Sequence, residues 1–190
     1  MRMKKMAMSP LIALVASLSC MVQPAGAQSA GNNMAFSGRL VAEACALSPE
    51  SEKVQLNFFA VPDKNLYRDG RTPGRPITLR LLNCDISHGN NSLSIYFDGP
   101  ESNKLPGFLA LDSDGINGVA IGLETPQGNP LPLKAQNAIG RVTAGANDIQ
   151  FMAYLQGEQE ALENHQIGRG EIKHATLTFT LSYDLSLIHI

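Results

Sequence analysis

The chain has 190 residues, of which 44% are hydrophobic and 6% aromatic, and its formal net charge at pH 7 is −2. This balance, with no cluster of basic residues, gives no electrostatic footprint for nucleic acid or for an acidic membrane surface. After removal of the N-terminal leader described next, the length suits one domain and leaves little room for two.

The N-terminus has the layout of a secretory signal. Basic residues at positions 2, 4 and 5 precede an apolar run over about residues 11–22, and small residues follow at 25–27. This order predicts a leader over residues 1–27 and export from the cytoplasm. The alternative is a lipidated N-terminus at Cys20, but Ser17 stands where an aliphatic residue is expected. No later apolar run is long enough to span a membrane, so we expect no stable membrane insertion.

An alternating segment begins soon after the leader. Residues 28–33 are small and polar, and one face of the next segment then carries Met34, Phe36, Gly38 and Leu40. A period of two predicts a strand. Two cysteines remain after the leader, Cys45 and Cys84. An even pair in an exported chain is most simply interpreted as one disulfide.

Short apolar stretches predict further strands over residues 54–59, 76–82, 93–97, 118–123 and 149–155, separated by clusters of Gly, Pro, Asn and Asp. Residues 158–164 are the only helix-like stretch. They are short and charged, which favours a surface turn or one helical turn. Many short strands with turn residues between them predict an all-β sandwich.

The last strand pattern is the most regular. Hydroxyl residues at positions 176, 178, 180 and 182 alternate with Ala175, Leu177, Phe179, Leu181 and Tyr183. Such a strand has one buried and one solvated face, and it requires a neighbouring strand with which to pair.

Motifs for catalysis or metal binding are missing from the sequence. The four histidines stand far apart, without a Cys, His or carboxylate at metal-ligand spacing. Asp112 resembles the start of a calcium loop, but Ile116 and Leu123 occupy positions that require oxygen ligands. We therefore predict no catalytic residue, no metal site and no cofactor.

Three stretches carry a family resemblance when taken together. They are residues 34–45, where Gly38 stands seven positions before Cys45, residues 77–84, which end at Cys84, and the alternating run 175–183. Their order behind a leader resembles the pilins of the bacterial chaperone–usher pathway, and residues 118–133 resemble the middle of the same family. The short arm is most similar to minor or adaptor pilins of type 1 and P pili.

The resemblance implies an incomplete immunoglobulin-like β-sandwich that lacks its last strand. In such pilins a periplasmic chaperone fills the resulting groove, and the N-terminal arm of a neighbouring subunit replaces it during assembly at an outer-membrane usher. The resemblance thus makes residues 28–40 the donor arm and residues 41–184 the pilin domain. The wall of the groove would be the inward face of residues 175–183.

Strand addition of this kind derives affinity from backbone hydrogen bonds and selectivity from alternate side chains. Met34, Phe36 and Leu40 are then the pocket-filling residues. Gly38 would mark a place where the groove has no room for a side chain. The implied function is that of a non-catalytic structural subunit of a surface fimbria, exported through the periplasm and supporting adhesion.

Two alternatives stay open at this point. The chain could be a complete secreted β-sandwich that binds a ligand, such as a glycan, through its loops, with residues 34–40 as an ordinary first strand and Gly38 as a bulge. Residues 185–190 do not fit the family and resemble the translation of a sequencing-library adapter, so we expect them to be non-native. Otherwise the last strand continues through Leu185 and Leu187.

Overall fold

A computed structural model describes residues 44–87 and 91–183 of the chain. The predictions for the leader, for the donor-arm residues Met34, Phe36, Gly38 and Leu40, and for residues 185–190 lie outside these ranges. Within them the strands are β1 Ala46–Leu47, β2 Arg75–Cys84, β3 Ser92–Asp98, β4 Asp112–Asp114, β5 Val119–Glu124, β6 Gln136–Arg141, β7 Gly145–Gly157, β8 Glu171–His174 and β9 Thr178–Tyr183. The α-helices are α1 Asp63–Asp69 and α2 Gln159–Glu163, and a 3₁₀ turn spans Pro49–Ser51.

The strands form two main sheets and one small ribbon, and all pairings between strands are antiparallel. One sheet has the order β1-β2-β7-β5, the second has the order β6-β3-β9, and β4 pairs with β8. Residues from both main sheets share one hydrophobic cluster. The fold is therefore the all-β sandwich that the sequence predicted.

Alternation along the central strands builds the core. Leu79 and Leu81 of β2 and Ile95 and Phe97 of β3 are all at most 1% exposed. The Phe97 ring lies 5.4 Å from the ring of Phe151 in the facing sheet. Inward residues at every second position thus interlock across the two sheets, as expected for face-to-face packing.

The structure contains the disulfide that the sequence predicted. Cys45, which directly precedes β1, is bonded to Cys84 at the end of β2. Both cysteines are buried and pack with Leu81 and Leu93 in a second, smaller hydrophobic cluster. The bridge therefore ties the start of the described chain to the sandwich.

Two strand predictions need correction. Residues 54–59 form no strand in the structure, because no described strand lies beside them to complete a ladder. The continuous strand predicted over 175–183 is split, since β8 ends at His174 and β9 begins at Thr178. The pairing partner β3 ends at Asp98, opposite Thr178. At the next residue, a Cβ added to Gly99 would lie 3.2 Å from the backbone oxygen of Thr176. The two segments therefore come close here without forming a ladder.

Both helices are short. Helix α2 is the single helical turn predicted within residues 158–164. Helix α1 was not predicted; it ends at Asp69, and the following Gly70 is in the left-handed conformation, with φ of 75°. The helix packs through the buried Leu66, and its Tyr67 hydroxyl accepts a hydrogen bond from the backbone N–H of Ile167. Contacts that are distant in sequence therefore hold it in place.

A partly buried ion pair links the segment after α1 to the four-stranded sheet. The guanidinium of Arg71 donates to both carboxylate oxygens of Glu124, at 2.6 and 2.8 Å, and lies 3.5 Å above the Tyr154 ring. The Glu124 side chain is only 11% exposed. The hydrogen bond to Glu124 raises the pKa of Arg71, and burial raises the pKa of Tyr154.

We expect Glu124→Gln to lower the free energy of unfolding by about 1–3 kcal/mol, because the partly buried guanidinium of Arg71 then loses its charged partner. Asp69→Asn is the matched control, since Asp69 also pairs with an arginine, Arg68, but at an exposed position. This control should leave the unfolding midpoint close to that of the wild-type chain, because solvent screens exposed ion pairs. If Glu124→Gln and Asp69→Asn lowered the free energy of unfolding in denaturant equally, the ion pair of Arg71 and Glu124 would have no special role in stability.

Candidate functional site

The last strand, β9, lies at an edge of its sheet. It pairs with β3 from Thr178 opposite Asp98 to Tyr183 opposite Leu93. Within residues 44–87 and 91–183, no strand pairs with its other edge. An apolar strand with one unpaired edge can accept a further strand.

The apolar face of β9 is less covered than that of its neighbour β3. Phe179 lies opposite Phe97, and Leu181 lies opposite Ile95. Phe97 and Ile95 are 0% exposed, whereas Phe179 and Leu181 are only partly buried. The paired residues point into the same core, so burial decreases from one strand to the next.

The opposite margin of the sandwich is closed by the chain itself. The N–H of Leu131 donates to the oxygen of Leu123 in β5, and the N–H of Lys134 donates to the oxygen of Phe97 in β3. The chain then enters β6, which pairs with β3. Residues 130–136 therefore span the gap between the sheets on that side.

Strand β9 also packs against the smaller hydrophobic cluster, which contains the disulfide at the edge of the four-stranded sheet. Leu181 and Tyr183 pack against this cluster of Cys45, Leu81, Cys84, Leu93 and Val142. The chain leaves this edge after Ser51, whose hydroxyl accepts a hydrogen bond from the N–H of Arg80 at 2.8 Å. The segment that follows, residues 52–61, is assigned neither helix nor strand.

This segment, residues 52–61, also presents apolar side chains. Val54, Leu56 and Phe58 share one parity, and their exposure falls from 43% at Val54 to 8% at Phe58. Val54 and Phe59 are the large hydrophobic residues of the described part that are exposed. The alternation ends at Phe59, whose φ is 55°. The alternation of Val54, Leu56 and Phe58 was visible in the sequence and predicted an ordinary strand, whereas a role of this segment as a second wall beside β9 was not predicted.

The predicted site residues have different positions in the structure. Phe179, Leu181 and Tyr183 belong to β9, and Ala175 and Leu177 precede it, yet all five are partly buried on the alternating apolar face. Met34, Phe36, Gly38 and Leu40 lie outside the described residues. The geometry therefore concerns the accepting side of the candidate groove.

Contacts between distant parts of the chain fix the segment that leads into β8 and β9. The Arg169 guanidinium donates to the Asp63 carboxylate at 2.7 Å, and the rings of Tyr67 and His165 stack at 4.9 Å. The hydrogen bond from Arg169 lowers the pKa of Asp63. Helix α1, which follows residues 52–61, is thereby tied to the chain that precedes β8.

In the described ranges, no group of three or more His, Cys, Asp or Glu side chains is close enough to hold a metal ion. None of the helices described there is long and apolar enough to cross a membrane.

The fold and the site define a class: β-sandwich proteins whose last strand lies at an open, apolar sheet edge. The family described as "Fimbrial protein" matches residues 34–184. The chain belongs to this family, and its function is that of a structural fimbrial subunit, as the resemblance implied.

Individual relatives agree with this assignment. The chain is 34% identical to the fimbrial-like protein YfcP of Escherichia coli strain K12 over 157 residues, which cover 81% of this chain and 84% of the relative. It is 28% identical to the fimbrial adapter PapK of Escherichia coli over 162 residues, with 82% and 90% covered. The crystal structure of the P pilus rod subunit PapA shares the fold, with a TM-score of 0.62 at 20% identity, over 75% of this chain and 100% of that one.

Proposed function

We propose that β9 and residues 52–61 flank a groove that accepts a donor strand. The observation that carries the proposal is the contrast between the fully buried Phe97 and Ile95 and the only partly buried Phe179 and Leu181 directly opposite them. A strand inserted beside β9 would pair with its unpaired edge and would cover these two side chains. In this proposal the sandwich is immunoglobulin-like and is completed only by a partner.

The donors are a periplasmic chaperone during export and the arm of a neighbouring subunit in the fibre. This chain in turn donates its own residues 28–40, with Met34, Phe36 and Leu40 filling pockets and Gly38 passing a shallow place. Three such side chains contribute roughly 5 to 9 kcal/mol before ordering costs, so the backbone ladder supplies much of the remainder. An outer-membrane usher assembles the fibre at the cell surface, where the subunit supports adhesion without catalysis.

The remaining boundaries belong to the same proposal. Residues 1–27 are the cleaved leader, residues 41–184 form the pilin domain, and residues 185–190 are non-native. Similarity to a fimbrial adapter supports a minor or adaptor position in the fibre.

Deleting residues 28–38 should abolish incorporation of this subunit's neighbour while leaving chaperone binding intact, because the arm and the groove are separate parts of the chain. Chaperone co-purification and electron microscopy of fibres measure the two properties. The matched point variants are Phe36→Asp, which should also block assembly, and Ser37→Asp on the opposite face of the arm, which should not.

Normal fibres after the deletion would contradict the proposal. So would a mature chain that is stable and monomeric without a chaperone, since that behaviour belongs to the alternative of a complete ligand-binding sandwich.

A further inference from the structure

A second candidate site is formed by Phe59, the start of β2 and a neighbouring cavity that contains no residue of β9. Phe59 is 72% exposed, which is unusual for a large apolar side chain. Its backbone is left-handed, with φ of 55°, a conformation that bulky residues rarely adopt. The side-chain oxygen of Asn57 accepts a hydrogen bond from the Phe59 N–H at 2.7 Å and so supports this turn. The chain thus holds an aromatic ring towards solvent at a conformational cost.

An arginine without an acidic partner lies against this ring. The guanidinium carbon of Arg75 is 4.8 Å from the centre of the Phe59 ring. Elsewhere in the described part, arginines that pair with a carboxylate are Arg68, Arg71, Arg80 and Arg169. No such pair involves Arg75 among the residues described. Its guanidinium therefore keeps its hydrogen-bonding capacity for an anion.

Arg75 also lines a cavity of about 420 Å³. The other lining residues come from positions 58–65 and 72–76, and most are apolar, including Phe58, Val61, Pro62 and Pro73. The hydroxyl of one polar lining residue, Thr72, already accepts a hydrogen bond from the N–H of Leu155. The volume lies in the range of small-ligand sites, which combine apolar walls with a few polar groups.

We propose that Phe59, Arg75 and this cavity bind an acidic peptide segment in which a carboxylate residue adjoins an apolar one. The guanidinium pairs with the carboxylate, and the neighbouring apolar side chain enters the cavity. Charge complementarity with Arg75 and the apolar lining select this occupant. A sugar would require more hydrogen-bonding groups than the lining offers. The cavity contains no residue of β9, but it shares Phe58, Ala60 and Val61 with the proposed second wall of the donor-strand groove.

The test titrates the intact exported chain with acetyl-Glu-Leu-amide and with its neutral counterpart acetyl-Gln-Leu-amide, followed by NMR. We expect saturable binding of the acidic peptide, and binding of the neutral peptide that is weaker by about tenfold. Arg75→Gln should weaken binding of the acidic peptide by about the same factor. Arg141→Gln is the matched control, because Arg141 is exposed on β6 and lies outside the cavity. Arg141→Gln should leave the affinity for the acidic peptide unchanged.

Phe59→Gly removes the ring without opposing the left-handed backbone, so it should weaken binding while the unfolding midpoint is preserved. Four results would overturn the inference: no saturable binding, equal binding of both peptides, equal effects of Arg75→Gln and Arg141→Gln, or tighter binding of the acidic glycan 3′-sialyllactose. Variants of the arm or of β9 change no residue of the cavity and should leave these outcomes unchanged, so failure of the groove and failure of this site can be distinguished.

Discussion

Phe179→Asp should abolish binding of both the chaperone strand and the neighbour's arm. Phe179 lies opposite the fully buried Phe97 and is itself only partly buried. An inserted strand would bury the new carboxylate beside apolar side chains, which is strongly unfavourable without a partner charge. Loss of one large buried side chain alone removes about 1.5 to 3 kcal/mol, or more than tenfold in affinity. Yield of the chaperone complex and affinity for a labelled donor peptide measure the effect.

Thr180→Asp provides the control on the same strand. Thr180 is the next residue of β9, and its side chain is exposed on the outer face. Like Phe179→Asp, this substitution introduces an aspartate into β9, so the added charge and the strand propensity are the same. It should reduce donor-strand binding by less than threefold, on the order of the 0.5 kcal/mol typical of surface changes. Phe179→Leu should retain most binding, which separates loss of the pocket contact from loss of an aromatic ring. Similar behaviour of Phe179→Asp and Thr180→Asp would show that the inward face of β9 is not the binding face.

Strands with strong alternation were predictable from the sequence, but their pairing was not. The inward and outward faces of residues 175–183 follow from their period of two, because each face meets one kind of environment. The same period at Val54, Leu56 and Phe58 predicted a strand that the structure does not contain. Whether an alternating segment becomes a strand depends on a neighbouring strand, and that neighbour is not encoded locally.

Short polar elements escaped prediction for a related reason. Strands β4 and β8 contain mainly charged residues, and they pair with each other only because the fold brings Asp112 beside His174. Helix α1 had a recognisable stop at Gly70, but seven residues are too few for a periodic apolar pattern. The site formed by Phe59 and Arg75 depends on residues from two segments, so no local motif could reveal it.

Replacing both Cys45 and Cys84 with serine should produce the largest loss of stability, about 4 kcal/mol in the chain-entropy model. The bridge joins residues 39 positions apart and encloses residues 52–61 in its loop. In its absence this segment is held at the sandwich edge by the hydrogen bonds of Ser48 and Ser51 and by the packing of Phe58 in the core. The unfolding midpoint in denaturant, measured on the chain with a bound donor strand, reports the loss.

The double variant should also perturb the groove, because Leu181 and Tyr183 of β9 pack against the same cluster that buries the two cysteines. Affinity for a donor strand should therefore fall together with stability in the double variant. A reducing agent provides the control: it should lower the stability of the wild-type chain towards that of the variant and should leave the variant unchanged. If the variant loses stability but binds a donor strand as tightly as the wild-type chain, the disulfide supports only the sandwich, and residues 52–61 are not a wall of the groove.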